Sequence, residues 1–317
     1  MTRSISRRSR SRTADVRRRA ASVGVFAVAL AAGLSAQGGQ AVWGQEAGGR
    51  GAVPGELPRG GMSVFPQHRV VGFYGAPQSP QLGELGIGSP DSAARRLERQ
   101  ARPYNDFSEK KLLPVFELLG TIALANPGSD GKYRYRQPNR IIRRYASEAR
   151  EEKFLFMMDI QPGRSTFIEE AKHLEPWLKR SFVSIALDPE WNMGPGGVPG
   201  ERIGSVDASM VNKVTAYLSK LIRENDLPQK LVVIHQFTDD MVKNKGNLRV
   251  HRNIDLVLNA DGFGTPSAKK SKYEELAPSR ASGISPGFKL FYEEDTNLMS
   301  PRQVMGLRPQ PKFIVYE

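Results

Sequence analysis

The 317-residue chain contains no cysteine. That excludes disulfides, a thiol nucleophile, thiolate-held zinc and a lipidated N-terminal cysteine, so stability must come from a packed core. Histidine is scarce too, at four residues, with no HExxH and no closely spaced pair of the kind that grips zinc. A glycine-rich phosphate loop and a GxGxxG turn after the first strand are both missing. Their absence removes the usual signals for nucleotide binding. A carboxylate-held Mg²⁺ or Ca²⁺ is the only metal left open, and no metal or cofactor is assigned.

Acidic residues are outnumbered 33 to 46 by basic ones, for a net charge of +13. Most of that excess is local. Residues 1–50 hold nine arginines and two acids, a net +7, and leave only +6 for the rest. No basic helix interleaved with aromatics follows, so nucleic acid is not an expected partner. The basic stretch Arg3–Arg19 leads into twelve apolar residues, Val23–Leu34, and then into Leu34-Ser35-Ala36. This is the order of a secretory signal peptide over residues 1–36, and the apolar run is short for a bilayer span. A secreted or envelope-associated protein is expected, touching membrane only if that segment is retained. Residues 37–67, rich in Gly, Gln and Pro, read as a flexible lead-in.

The body is organised around Ser181–Trp191, SFVSIALDPEW. Val183, Ile185 and Leu187 fall on one face of an alternating strand, and Ser184, Ala186, Asp188 and Glu190 on the other. Counting outward from it gives eight strands: Arg69–Tyr74, one within Leu113–Leu124, Lys153–Gln161, the central stretch, Lys230–Phe237, Asn253–Asp261, Gly287–Glu294 and Lys312–Tyr316. Seven connections lie between them and are read as helical. The clearest helices are Pro90–Arg102 (capped by Ser89), Pro138–Glu151, Ser165–Lys179, Val206–Asn225, Ser267–Ala277 and Ser300–Leu307. Eight βα units in about 250 residues predict one (β/α)8 TIM-type barrel over 68–317, ending on its eighth strand with no clear eighth helix. A monomer is expected.

In such a barrel the C-terminal strand ends share one mouth. They supply Tyr74, Glu117, Asp159 with Gln161, Asp188 with Glu190 and Trp191, His235 with Gln236, Asn259 with Asp261, and Tyr292 with Glu294. Carboxylates, amides and aromatic faces around one cleft suit sugar chemistry: a protonated acid serves the glycosidic oxygen, and a second group steadies an oxocarbenium-like state. Glu190 is the candidate general acid, Asp188 tunes it, and Glu294 or Asp159 offers the stabilising charge; the remaining residues are candidate carbohydrate contacts. The same mouth also suits a non-catalytic sugar-binding protein.

The Asp188-Pro189-Glu190 segment resembles the end of the fourth-strand motif of chitinase-type and lysozyme-type barrel hydrolases, in which the Glu is the acid; the longer upstream Asp pattern of chitinases is absent. Taken together, DIQPGRSTF, LDPEWNMGPG, IGSVDA, VIHQFT, DGFGTP and GFKLFYEEDTNLMSP resemble a group of exported actinobacterial proteins, some described as lipoproteins. The likeness spans about residues 69–317. It implies a barrel-like body and export, and carries no assigned reaction.

Overall fold

The structure is a computed structural model that describes residues 55–317. The expected signal segment and the lead-in up to residue 54 lie outside the described residues. Eight strands close into a parallel barrel: β1 (His68–Gly75), β2 (Lys111–Ala123), β4 (Leu155–Ile160), β5 (Val183–Leu187), β7 (Lys230–Gln236), β9 (Ile254–Ala260), β10 (Ser285–Leu290) and β11 (Phe313–Tyr316). Closure is made by β1, which pairs with β2 on one side (Val70 opposite Leu113) and β11 on the other (Val70 opposite Phe313).

Alternation divides each strand between two cores. Val183, Ile185 and Leu187 point outward into the core shared with the helices, whereas Ala186 points into the barrel with Val70, Val115, Met157, Val233, Val257 and Val315. The helices are α1 (Pro90–Ala101), α2 (Asn139–Glu151), α3 (Phe167–His173), α4 (Glu175–Leu178), α5 (Ala208–Glu224), α6 (Pro266–Leu276) and α7 (Pro301–Met305). In α5, Val211, Val214, Leu218, Leu221 and Ile222 are buried, the spacing of one helical face. Ser89 caps α1 by accepting from the Ser92 amide, with Pro90 at the first helical position.

Several local expectations change. Ser165 does not cap the helix after β4. Thr166 does, accepting from the Glu169 amide, while the Ser165 hydroxyl donates to Glu170 at 2.6 Å. The expected single helix breaks at Leu174 into α3 and α4. No α-helix joins β7 to β9; that connection holds short 3-10 turns and β8 (Val242–Lys243), paired with β6 (Val206–Asp207). The end of β2 turns back through β3 (Arg134–Arg136) as an antiparallel hairpin. Arg134 and Arg136 there grip the fully buried Glu170 at 2.8 and 2.7 Å.

The described part of the lead-in is packed. Leu57, Val64 and Phe65 join the barrel-interior core, and the Val64 and Phe65 amides donate to Gln229 and Asp255. This segment therefore closes the N-terminal end of the barrel and leaves the C-terminal end as its mouth.

Candidate active site

Above the apolar layer, the next inward position of all eight barrel strands is polar. Two residues beyond Gly72, Val115, Met157, Ala186, Val233, Val257, Gly287 and Val315 come Tyr74, Glu117, Asp159, Asp188, His235, Asn259, Lys289 and Glu317. The period of two that sends the core residues inward sends these inward as well. Gly287 has a specific part: a Cβ there would collide with the Asn259 side chain, so glycine makes room for it.

Two linked networks result. In the first, Tyr74 donates to Asp159 (3.0 Å) and accepts from Gln161 (3.2 Å), whose carbonyl oxygen receives the Ala123 amide. In the second, His235 lies between two carboxylates, with Nε2 2.8 Å from Glu117 and Nδ1 2.7 Å from Asp261. Asn259 donates to the other oxygen of Asp261 at 2.5 Å. Lys289 joins the two networks: its ammonium contacts Glu317 at 2.5 Å and Asp261 at 3.7 Å, and sits 3.7 Å above the Tyr74 ring.

These surroundings set the protonation states. Burial alone would lower the imidazole of His235, but the charges and hydrogen bonds of Asp261 and Glu117 prevail and hold it well above its ordinary value. Asp261 ends below the usual carboxylate range: burial opposes its ionisation, while His235 and Lys289 favour it more strongly. Asp159 is pushed well above that range, chiefly by burial and then by Asp188. Burial also lifts Asp188 to about 6. Glu190 rises to about 8, through burial first and the charge of Asp188 second.

Glu190 does not lie on the strand. β5 ends at Leu187, and Pro189–Trp191 form a 3-10 turn capped by Asp188, whose carboxylate accepts the Glu190 amide at 3.3 Å. The turn still brings Glu190 within the fields of Asp188, Lys289, Asp261 and Glu317, over the same mouth. Part of its side chain remains open to solvent, and Trp191 is half-buried beside it. The carbonyls of Pro189, Glu190 and Asn192 crowd Gly204, where no Cβ would fit, which ties the following loop against this turn.

Other expected site residues are placed differently. Gln236 points out of the barrel and donates to the Leu276 carbonyl, because it lies one residue beyond the inward His235. Tyr292 lies past the end of β10 and stacks on Tyr316 (centroids 5.4 Å), with its edge on Phe73; both are outward-facing side chains, so it belongs to the outer wall. Glu294 also lies beyond the strand, partly buried, its carboxyl raised chiefly by burial. Glu117, Asp159 and Asn259 have no exposed surface and Tyr74 has 3%, so they form the floor under the mouth and do not face solvent. Lys289 and Glu317 were not among the expected residues. The signal for Lys289 was a lysine at an inward position of an apolar strand.

Among the described residues, Glu117, Asp159 and His235 form the one group of three with metal-binding donors close enough to share an ion, their ligand atoms within 4.8 Å of one another.

No protein-family model and no curated protein matches the sequence. Several solved structures are similar to this chain. One is a hyperthermophilic endo-β-1,4-glucanase in complex with substrate, at 9% identity over 78% of this chain and 88% of that one, with a TM-score of 0.41. A second is a 3-keto-D-glucoside 4-epimerase from E. coli, at 10% identity, 78% and 90% coverage, and a TM-score of 0.38. A third is a 5-methylcytosine deaminase from Klebsiella pneumoniae, at 10% identity, 73% and 53% coverage, and a TM-score of 0.31. At these identities and scores the likeness does not extend to chemistry.

Proposed function

We propose that this barrel cleaves a glycan of the cell envelope or the surroundings, with Glu190 as general acid and Asp188 as its anionic partner. One observation carries the reading. Two carboxyls in a single turn at the mouth are held apart in acidity, Asp188 at about 6 and Glu190 at about 8. Between those values one is ionised and the other protonated, the division of labour that glycosidic cleavage needs. Glu190 gives its proton to the glycosidic oxygen as the bond to the leaving sugar breaks, and the negative Asp188 steadies the charge that develops on the ring. A water then bonds to the anomeric carbon and returns its proton to Glu190. Asp159 is less suited to that second role because it is enclosed in the floor, and Glu294 because burial raises its carboxyl. Trp191 offers a face for a sugar ring to stack on. The basic, apolar and small-residue order of residues 1–36 supports action outside the cytoplasm.

A second reading has its own support. Most of the polar groups in the floor are already bonded to one another, as expected of a rigid site that holds a sugar without cleaving it. A panel of polysaccharides and peptidoglycan, assayed for reducing ends and for binding with the wild type and Glu190→Gln, separates the two. Cleavage by the wild type that is lost in the variant while binding is kept supports catalysis. Binding with no cleavage by either protein overturns it in favour of the binder.

A further inference from the structure

We propose that Glu117, Asp159 and His235, on the floor of the mouth, form a binding site for one divalent transition-metal ion, with Asp261 and Asn259 orienting the histidine. This departs from the expectation drawn from the sequence, where a single histidine at a strand end gave no ligand spacing. The three donors come from β2, β4 and β7, far apart in the chain, and only barrel closure brings their ligand atoms within 4.8 Å of one another.

A cluster of acids and a histidine would not be enough by itself, and a second observation points to a cation. Each carboxyl group keeps one fully buried oxygen with no partner: Oε2 of Glu117 and Oδ1 of Asp159. Buried polar atoms are rarely left unpaired, because they give up water and gain nothing in return. Hydrogen bonding within the floor accounts for the other oxygen of each, Glu117 bonding to His235 and Asp159 accepting from Tyr74. A cation held among the three groups would give such an orphan oxygen a partner.

The surroundings of His235 have the form that metal-bound histidines require. Its Nδ1 bonds to Asp261 at 2.7 Å, and Asp261 is itself held by Asn259, so the Nε2 side is turned toward Glu117. A carboxylate behind the ring fixes the tautomer and strengthens the nitrogen as a donor. Three protein ligands leave open coordination positions, as in catalytic rather than structural sites. One imidazole with two carboxylates suits Zn²⁺ or Mn²⁺ better than Mg²⁺ or Ca²⁺, which favour all-oxygen shells.

The test needs no substrate, so its outcome is independent of the glycan reading. Chelator-stripped full-length protein is titrated calorimetrically with Zn²⁺, Mn²⁺ and Mg²⁺, and the Mn²⁺ form is examined by pulsed electron paramagnetic resonance. The expected results are one Zn²⁺ or Mn²⁺ per chain, weaker Mg²⁺ binding and nitrogen modulation from a single imidazole. Asp261→Asn should weaken binding by about 10–100-fold, and His235→Gln more than that with loss of the nitrogen signal. Any one of three results overturns the proposal: no binding at millimolar ion, Mg²⁺ binding as tight as Mn²⁺, or a bound Mn²⁺ without nitrogen modulation. The last is read on the wild type, so the test survives a variant that fails to fold.

Discussion

The two ends of the barrel are built from the same alternating strands and have opposite characters. At the N-terminal end, Leu57, Val64 and Phe65 fold across the opening and join the interior core, and the Val64 and Phe65 amides are taken up by Gln229 and Asp255. At the C-terminal end, each strand places a polar side chain at the next inward position, and most of them are held by one another. Closure at one end relies mainly on burying apolar surface, with Asp255 accepting the Phe65 amide beneath it. The other end is held by charges, whose balance shifts with each proton or ion. One end is therefore mainly apolar and the other mainly charged.

The sharpest way to test that division is to change one atom at the top. Glu190→Gln keeps the shape of the side chain and removes its ionisable proton. Glycan cleavage should fall by about 10²–10⁴-fold, the usual contribution of a general acid. The thermal midpoint should hold or rise, since the variant never has to bury a charge. A large fall in the midpoint with activity intact would mean that the top carries stability after all.

The reciprocal change comes next. Phe65 keeps 7% of its surface exposed and seals the bottom; Phe65→Ala should cost about 3–5 kcal/mol in urea unfolding, as for other buried aromatic truncations. The acidity of the mouth should stay in place, so the surviving folded protein should keep the pH profile of the wild type, with limbs near 6 and 8 set by Asp188 and Glu190. A stability loss below about 1 kcal/mol would show that the lead-in is only draped over the end.

Which parts of this were readable in the sequence follows from period and distance. Alternation located the strands and assigned Ile185 outward and Asp188 inward, because register along one strand is a local property. The same rule misplaced Glu190 on a strand, since Pro189 ends the strand and begins a turn. Gln236 failed on parity, one residue past His235. Lys289 stands one residue inside the end of its strand, in a run that otherwise reads as apolar, and its partners Glu317 and Asp261 lie just past the ends of other strands. The pairing of His235 with Glu117, 118 residues away, is produced by barrel closure, and no spacing in the chain could have disclosed it. The lead-in looked flexible because its composition is rich in Gly and Pro; its few apolar residues became visible as core only once there was a barrel end to cover.

The smallest expected effect is a difference in pH dependence between the two ends. Asp255 at the bottom is raised to about 6 by burial, with the Phe65 amide and Lys312 pulling the other way. Glu190 at the top is raised to about 8. A carboxyl whose folded value exceeds its unfolded one is protonated more readily in the folded state. Its contribution is therefore most favourable below the unfolded value and is lost as pH rises through the folded one. For Asp255 that loss falls between about 4 and 6, and for Glu190 between about 4.5 and 8. Both groups retain some contact with solvent, which blunts the size of each slope but not its sign. Urea midpoints measured from pH 4.5 to 8.5 on the wild type, Asp255→Asn and Glu190→Gln isolate the two terms by difference. Relative to the wild type, Asp255→Asn should gain stability as pH rises to about 6 and then level off, whereas Glu190→Gln should go on gaining to about 8. If the Asp255→Asn difference is the same at every pH, Asp255 is no more buried in the folded chain than in the unfolded one, and the lead-in does not close the bottom. If the Glu190→Gln difference stops growing by pH 6, Glu190 is ionised at neutrality and the mouth lacks the protonated acid that glycan cleavage needs.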